Sequence, residues 1–313
     1  MKICVLFDKY NILSLNSTRF IYNNYTDLYD INYINISKDN MFYLIDNPYL
    51  INNNKIIDNL YQLKKYDLII PLINKPILNF LNILNIKHTG DIKSNILECD
   101  FMLFKDLMKL YKIKQSKYVV IYKESKYKEV KKNIKHRIKY PCNIKDIRNN
   151  IIYKVNKEED LKKMLEKSFR YEDILILDHF IKGKKIDVYI VGDNIYNCYN
   201  KKIYKITKKI CNKLNIKDYL KITYIISKNN KIYIDSINTI IDFEKINMHI
   251  SLMSDSKVNI IDKLIKIDKN SWFLYGFMVL FYMCDPLIQI KIRYIEIRRE
   301  KNECNWQNNK RTN

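Results

Sequence analysis

Glycine is scarce in this chain. Its 313 residues hold four, Gly90, Gly183, Gly192 and Gly276, where ordinary usage of roughly 7% would give about twenty. No two lie closer than nine positions. A phosphate-cradling loop needs clustered glycines, so that backbone N–H groups can approach the anion. A P-loop or a dinucleotide fingerprint is therefore excluded. The seven cysteines (4, 99, 142, 198, 211, 284 and 304) form no C-x-x-C pair. Such a set argues against a disulfide framework or a zinc site and reads as small buried hydrophobes in a reducing compartment. The four histidines, His88, His136, His179 and His249, do not cluster and read as structural. The opening "MKICVLFDK" has a five-residue apolar run before Asp8. That suits a first β-strand and is too short for the core of a secretion signal.

Isoleucine, asparagine, lysine and tyrosine dominate instead. The formal charge is +22, and 47% of residues are hydrophobic, enough for a real core. The charge alone points to nucleic acid or an anionic surface. All four abundant residues have codons built mainly from A and T, so compositional drift yields the same charge with no partner. No recognisable nucleic-acid motif accompanies it, which weighs against nucleic acid as a partner. The basic segment 123–139 reads as a solvated helix face, because Glu124 and Glu129 interrupt it and no aromatic platform goes with it.

Along the chain, "KICVLF" (2–7) reads as a strand buried on both faces. "YDINYINIS" (29–37) and "YDLIIPLI" (66–73) read as further strands, with helices over 56–66 and 77–86. Alternation of strand and helix predicts a parallel sheet with covering helices over residues 1–90. A helix over 99–113 follows, then strands at 118–122, 142–145 and 150–155 and a helix at 157–169. Residues 173–193 read as two strands around Gly183. A hairpin joins 219–227 to 231–237, and a closing helix spans 258–267. After that the character changes. "WFLYGFMVLFYMC" (272–284) has thirteen apolar residues, short of the roughly twenty that span a bilayer. Residues 268–313 form a tail of unassigned role, for which membrane association ranks low.

"KIYIDSINTI" (231–240) is where chemistry is expected, since polar residues at the end of a buried strand often carry it in α/β proteins. Strict alternation puts Ile232, Ile234 and Ser236 on one face and Tyr233, Asp235 and Ile237 on the other.

The ordered set "KICVLF" with "LSL" (13–15), "YDLIIPLI", "LNILNIKHTG", "NIK" (143–145), "ILILDHFIKGKKIDVYIVGD" and "YLKITYIISKNNKIYIDSINTIIDFEKINM" (219–248) resembles the D-alanine–D-alanine ligases of the ATP-grasp superfamily, over residues 2 to about 266. The resemblance implies an α/β fold: a Rossmann-like (pre-ATP-grasp) parallel-sheet domain at 1–90, then an ATP-grasp fold of α+β subdomains at 91–267. It implies ATP and a small amino acid as ligands, Mg2+ as cofactor if the chain is active, a homodimer, and a cytoplasmic location. The implied reaction is carboxylate–amine ligation through an acyl phosphate.

Carried over residue by residue, Lys145 matches a lysine on the ATP phosphates. Asp178 stands where a glutamate holds the adenosine end, and Asp187 for a second glutamate at the ribose. Lys221 stands for the arginine that steadies the tetrahedral intermediate, and Asn238 for a metal-binding asparagine. The family's metal aspartate and bridging glutamate align with Thr223 and Ser236, and a second phosphate lysine with Phe101. Glycine-rich loops are replaced by "DKYNI" (8–12), "NKP" (74–76) and "DIRNN" (146–150), the loop between Gly192 and Tyr219 is shortened, and Ile241–Asp242 replaces a Pro-Gly. These losses imply weakened or lost activity, a pseudoenzyme in the extreme. Two alternatives stand beside that expectation. One is an active, divergent ligase with displaced ligands, drawn from Asp242 and Glu244, since alternation places Asp235 on the wrong face. The other is a non-enzymatic basic binding module using 123–139 and 201–216.

Overall fold

The computed structural model describes residues 1–247, apart from 38–40, 51–54, 58–59, 74–76, 148–149, 217–218 and 241, together with Ile261 and Leu264. The expected closing helix, the apolar run 272–284 and the segment "NKP" lie outside the described residues, except for those two positions. Among the described residues no helix is long and apolar enough to cross a membrane.

The first sheet comprises β1 (Lys2–Phe7), β2 (Asp30–Ile36), β3 (Phe42–Ile45), β4 (Lys55–Ile56) and β5 (Leu68–Leu72), in the order β4-β3-β2-β1-β5. β1 pairs in parallel with both β2 and β5, while β3 and β4 add antiparallel. The expected sheet is thus mixed rather than wholly parallel. Every residue of β1 after Lys2 is buried, as a central strand covered on both faces requires. The crossover between β1 and β2 is α1 (Ile12–Tyr25), capped by Asn11, which accepts from the Ser14 amide at 3.1 Å. Its buried face includes Ser14, Ser17 and Thr18, so apolar periodicity gives little sign of it. The helix expected at 56–66 is instead β4 and a 3-10 turn, Leu60–Lys65, with Leu63 as its one buried residue. α2 (Ile77–Ile83) follows β5.

The helix expected at 99–113 is α4 (Phe101–Leu110), and a separate helix that the sequence reading did not mark, α3 (Ile92–Cys99), comes just before it. Asp100 divides them. Its backbone is extended, and its carboxylate accepts from the Leu103 amide at 2.8 Å, capping α4.

The second sheet has the order β6-β9-β7-β8, from β6 (Tyr118–Tyr122), β7 (Cys142–Lys145), β8 (Ile151–Val155) and β9 (Ile174–His179). One face packs Ile121, Ile144, Leu175 and Leu177 under α5 (Tyr127–Asn133), a π-helical turn at Ile134–Ile138, and α6 (Glu158–Ser168). The opposite face carries Tyr118, Asn143 and Asp178, which pair side by side across three strands, and it turns toward α4.

The third sheet has the order β11-β10-β12-β13, from β10 (Gly183–Val191), β11 (Asn194–Tyr196), β12 (Tyr219–Ser227) and β13 (Ile232–Asn238). Val188, Ile190, Ile222, Tyr224, Ile234 and Ile237 pack against α4 and α7 (Lys201–Leu214). α7 buries Ile203, Thr207, Ile210 and Leu214 and turns its lysines outward. Gly183 sits where β10 begins to pair with β12. A Cβ there would lie 2.2 Å from the Ile226 carbonyl oxygen, so the close approach requires glycine.

Candidate active site

A buried charge cluster joins α4 to the second sheet. Asp178 on β9 accepts from Lys145 on β7 at 2.7 Å and from Lys105 on α4 at 3.0 Å. Ser116 also donates its hydroxyl to this carboxylate, and Lys105 in turn donates to that hydroxyl oxygen at 2.6 Å. The Lys105 side chain is 1% exposed. Burial alone would push the Asp178 carboxyl up, but the two ammonium groups, helped by hydrogen bonds from Lys145 and Ser116, hold it below the usual carboxylate range. Burial pulls Lys105 below its ordinary value, against the attraction of Asp178. Phe101 forms an aromatic floor, with Lys145 4.7 Å and Lys105 4.9 Å from its ring centre.

Sequence reasoning missed Lys105. It lies one helical turn beyond Phe101, so both project from one face of α4. A second buried cation thus stands one turn from position 101, where the family resemblance would place a lysine. Spacing on the helix was the available signal: a lysine four residues after an aromatic, on the face that α4 turns inward.

Across the third sheet the polar residues stand in rows. Asp187, Thr223 and Ser236 are direct partners on β10, β12 and β13, and so are Tyr189, Lys221 and Asn238. Direct partners share a face, so Asp187, Lys221 and Asn238 come together there, on the face opposite Val188 and Ile222. Lys145 and Asp178 belong to the cluster on the other sheet. The Thr223 hydroxyl donates to Asp187 at 2.7 Å. Asp187 also lines a cleft of about 610 Å³ with Lys184, Lys185, Tyr189, Asn200 and Lys245. Asp178 does not line this cleft.

Strict alternation fails at Asp235. The register of β12 on β13 shifts between Thr223 and Tyr224, which pair with Ser236 and Ile234, leaving Asp235 as the extra residue of a bulge. Ile234 and Ile237, expected on opposite faces, both enter the same core. Asp235 turns to the polar face and accepts from Lys185 at 2.8 Å. The expectation that Asp235 faces the wrong way is therefore corrected. Asp242 pairs locally with Lys245 at 3.2 Å, and Glu244 is exposed. Among the described residues no group of three or more His, Cys, Asp or Glu could hold a metal ion.

One further acid meets the end of β13. Glu98, in the last turn of α3, is 6% exposed. It accepts from the Thr239 amide at 2.8 Å, from the Thr239 hydroxyl, and from the Asn238 side-chain amide at 3.3 Å. Burial pushes its carboxyl up, against these hydrogen bonds and the nearby Lys221.

Residues 107–201 match the family described as D-ala D-ala ligase C-terminus. The D-alanine–D-alanine ligase of Wigglesworthia glossinidia brevipalpis is 27% identical over 318 aligned positions, covering 82% of this chain and 89% of that protein. The chain resembles the D-alanine–D-alanine ligases. Its fold is theirs too. The D-alanine–D-alanine ligase of Coxiella burnetii superposes with a TM-score of 0.74 at 18% identity, over 91% of this chain and 100% of that one. The VanG D-Ala:D-Ser ligase of Enterococcus faecalis gives 0.70 at 17%, over 85% and 99%. The Bacillus anthracis D-alanine–D-alanine ligase complexed with ATP gives 0.65 at 15%, over 86% and 98%.

Proposed function

We propose that this chain is an ATP-binding ligase of the D-alanine–D-alanine type that joins a carboxylate to an amine at a much reduced rate. The buried Lys105–Asp178–Lys145 cluster is the observation that carries this reading. Two ammonium groups are held rigidly at the face where the resemblance places the ATP phosphates, although one of them comes from a new position. In the proposed reaction a carboxylate oxygen of one amino acid attacks the terminal phosphorus and ADP leaves. The amine of a second amino acid then attacks the acyl carbon, phosphate leaves, and the amine proton passes to solvent. Lys145 and Lys105 balance charge on the phosphates, and Lys221 faces the oxyanion as the acyl carbon becomes tetrahedral.

Mg2+ needs hard oxygen donors and commonly takes only one or two carboxylates, with phosphate and water completing its shell. Asp187, Asp235 and the Asn238 side-chain oxygen supply such donors on one face, so the residues present fit a nucleotide-borne Mg2+. When bound, the ion would neutralise phosphate charge. Asp187 is engaged by Thr223 and Asp235 by Lys185, and the family's own two carboxylate positions hold hydroxyls. A weaker electrostatic clamp of this kind costs orders of magnitude in rate. We also propose domains at 1–90 and 91–267, with a cytoplasmic homodimer as the working form.

The test is phosphate release from ATP with and without D-alanine. Slow release that depends on D-alanine and disappears in Lys145→Ala is expected. Release no greater than that of Lys145→Ala, in a protein shown to be folded, would overturn the ligase reading.

A further inference from the structure

Glu98 breaks two local rules. It is an acid in the last turn of α3, where the helix dipole disfavours negative charge. It is also buried, where an acid is rare unless it is paired. What it gains is the end of β13, 140 residues away in sequence. The hydrogen bonds there run in one direction. Asn95 donates its side-chain amide to the Thr239 hydroxyl at 3.5 Å. The Thr239 hydroxyl and amide donate to one oxygen of Glu98, and Asn238 Nδ2 donates to the other. Glu98 is therefore an acceptor on both oxygens. An asparagine side chain has one donor end and one acceptor end. With Nδ2 drawn toward Glu98, Oδ1 is the end left to face the polar surface beside Lys221.

We propose that Glu98 is the positioning residue of this site, fixing Asn238 so that its oxygen, and not its nitrogen, is offered to a nucleotide-borne Mg2+. This rests on the ligase reading above and adds to it a residue from outside the motifs that carry the resemblance. A partner that orients a metal ligand typically changes metal affinity 10–100-fold when removed. A glutamine at 98 would keep the shape while presenting an amide N–H₂ group of its own, so the direction of the chain would no longer be imposed.

The test is calorimetric titration of ATP, with Mg2+ and with EDTA, into the full chain and into Glu98→Gln, Asn238→Ala and the double variant. In the unsubstituted protein Mg2+ should tighten ATP binding. Glu98→Gln should lose about tenfold of that gain while binding in EDTA stays the same. Asn238→Ala should lose a similar share, and the double variant no more than either single, because the two act as one unit. If Glu98→Gln does not fold, Asn238→Gln is measured instead. Its longer arm displaces the oxygen and should give the same loss. A full Mg2+ gain in Glu98→Gln, or losses that add in the double variant, would overturn the positioning role and leave the ligase reading standing. No Mg2+ gain in the unsubstituted protein would overturn the metal reading and this inference together.

Discussion

The two antiparallel sheets have fared differently. On the β6-β9-β7-β8 sheet two charged residues singled out from the sequence, Lys145 and Asp178, are buried and paired with each other. On the β11-β10-β12-β13 sheet the positions matched to the family's metal acids are the hydroxyls of Thr223 and Ser236, with the carboxylates of Asp187 and Asp235 beside them. Physical cost accounts for the contrast. Removing one partner of a buried, hydrogen-bonded ion pair strands the other charge and costs about 3–5 kcal/mol. Carboxylates at the solvent edge, such as Asp235 with its exposed partner Lys185, contribute at most about 1 kcal/mol each to stability, so they can be exchanged or moved along the sheet at little structural cost. Stability holds the charged residues of one sheet in place and places little constraint on those of the other.

Substitutions test this contrast directly. Asp178→Ala should be the most damaging, at about 3–5 kcal/mol in chemical denaturation, because it leaves two buried ammonium groups without their shared counter-charge. A loss below about 1 kcal/mol would remove the distinction between the sheets. Gly183→Ala should cost about 1–3 kcal/mol, since the added methyl meets the Ile226 carbonyl and β10 must shift. At the weak end, Asp235→Asn should lower stability by less than about 1 kcal/mol, because its partner Lys185 is 64% exposed. The same change should still reduce the Mg2+ gain in ATP binding. A variant that melted early with its Mg2+ gain intact would make Asp235 structural.

Acid titration tests the buried cluster a second way. Asp178 is held below its ordinary value of 3.8, so the folded state binds fewer protons there than the unfolded chain. Its contribution is in full above pH 3.8 and is lost as pH falls below it. Asp178→Asn should remove that part of the acid sensitivity, seen as a flatter dependence of the unfolding midpoint on pH below about 4.

Much of the fold was legible because its strands are continuous apolar runs. β1 and β6 fall where the runs predict, and Lys145 and Asp178 are recognisable as charges inside buried strands. α1 was not legible, because it buries hydroxyls rather than a stripe of apolar side chains. α7 carries a regular stripe of Ile203, Thr207, Ile210 and Leu214, but its lysines made it read as a charge run. At the site, Asp235 escaped because a bulge breaks the period of two, which no residue in "KIYIDSI" announces. Lys105 and Glu98 escaped for another reason. They come from helices whose direction is set by the break at Asp100, and only the packed structure shows where those helices point.

In the proposed function the chain still holds ATP through its buried lysines and still senses Mg2+ through relocated oxygens. Calorimetric titration of ATP into the purified, folded protein, with and without Mg2+, tests it most directly. Micromolar binding that weakens when Mg2+ is withdrawn is the predicted result. No heat in either condition would mean that the lysine cluster is structural only and that the chain keeps the ligase scaffold without its ligand.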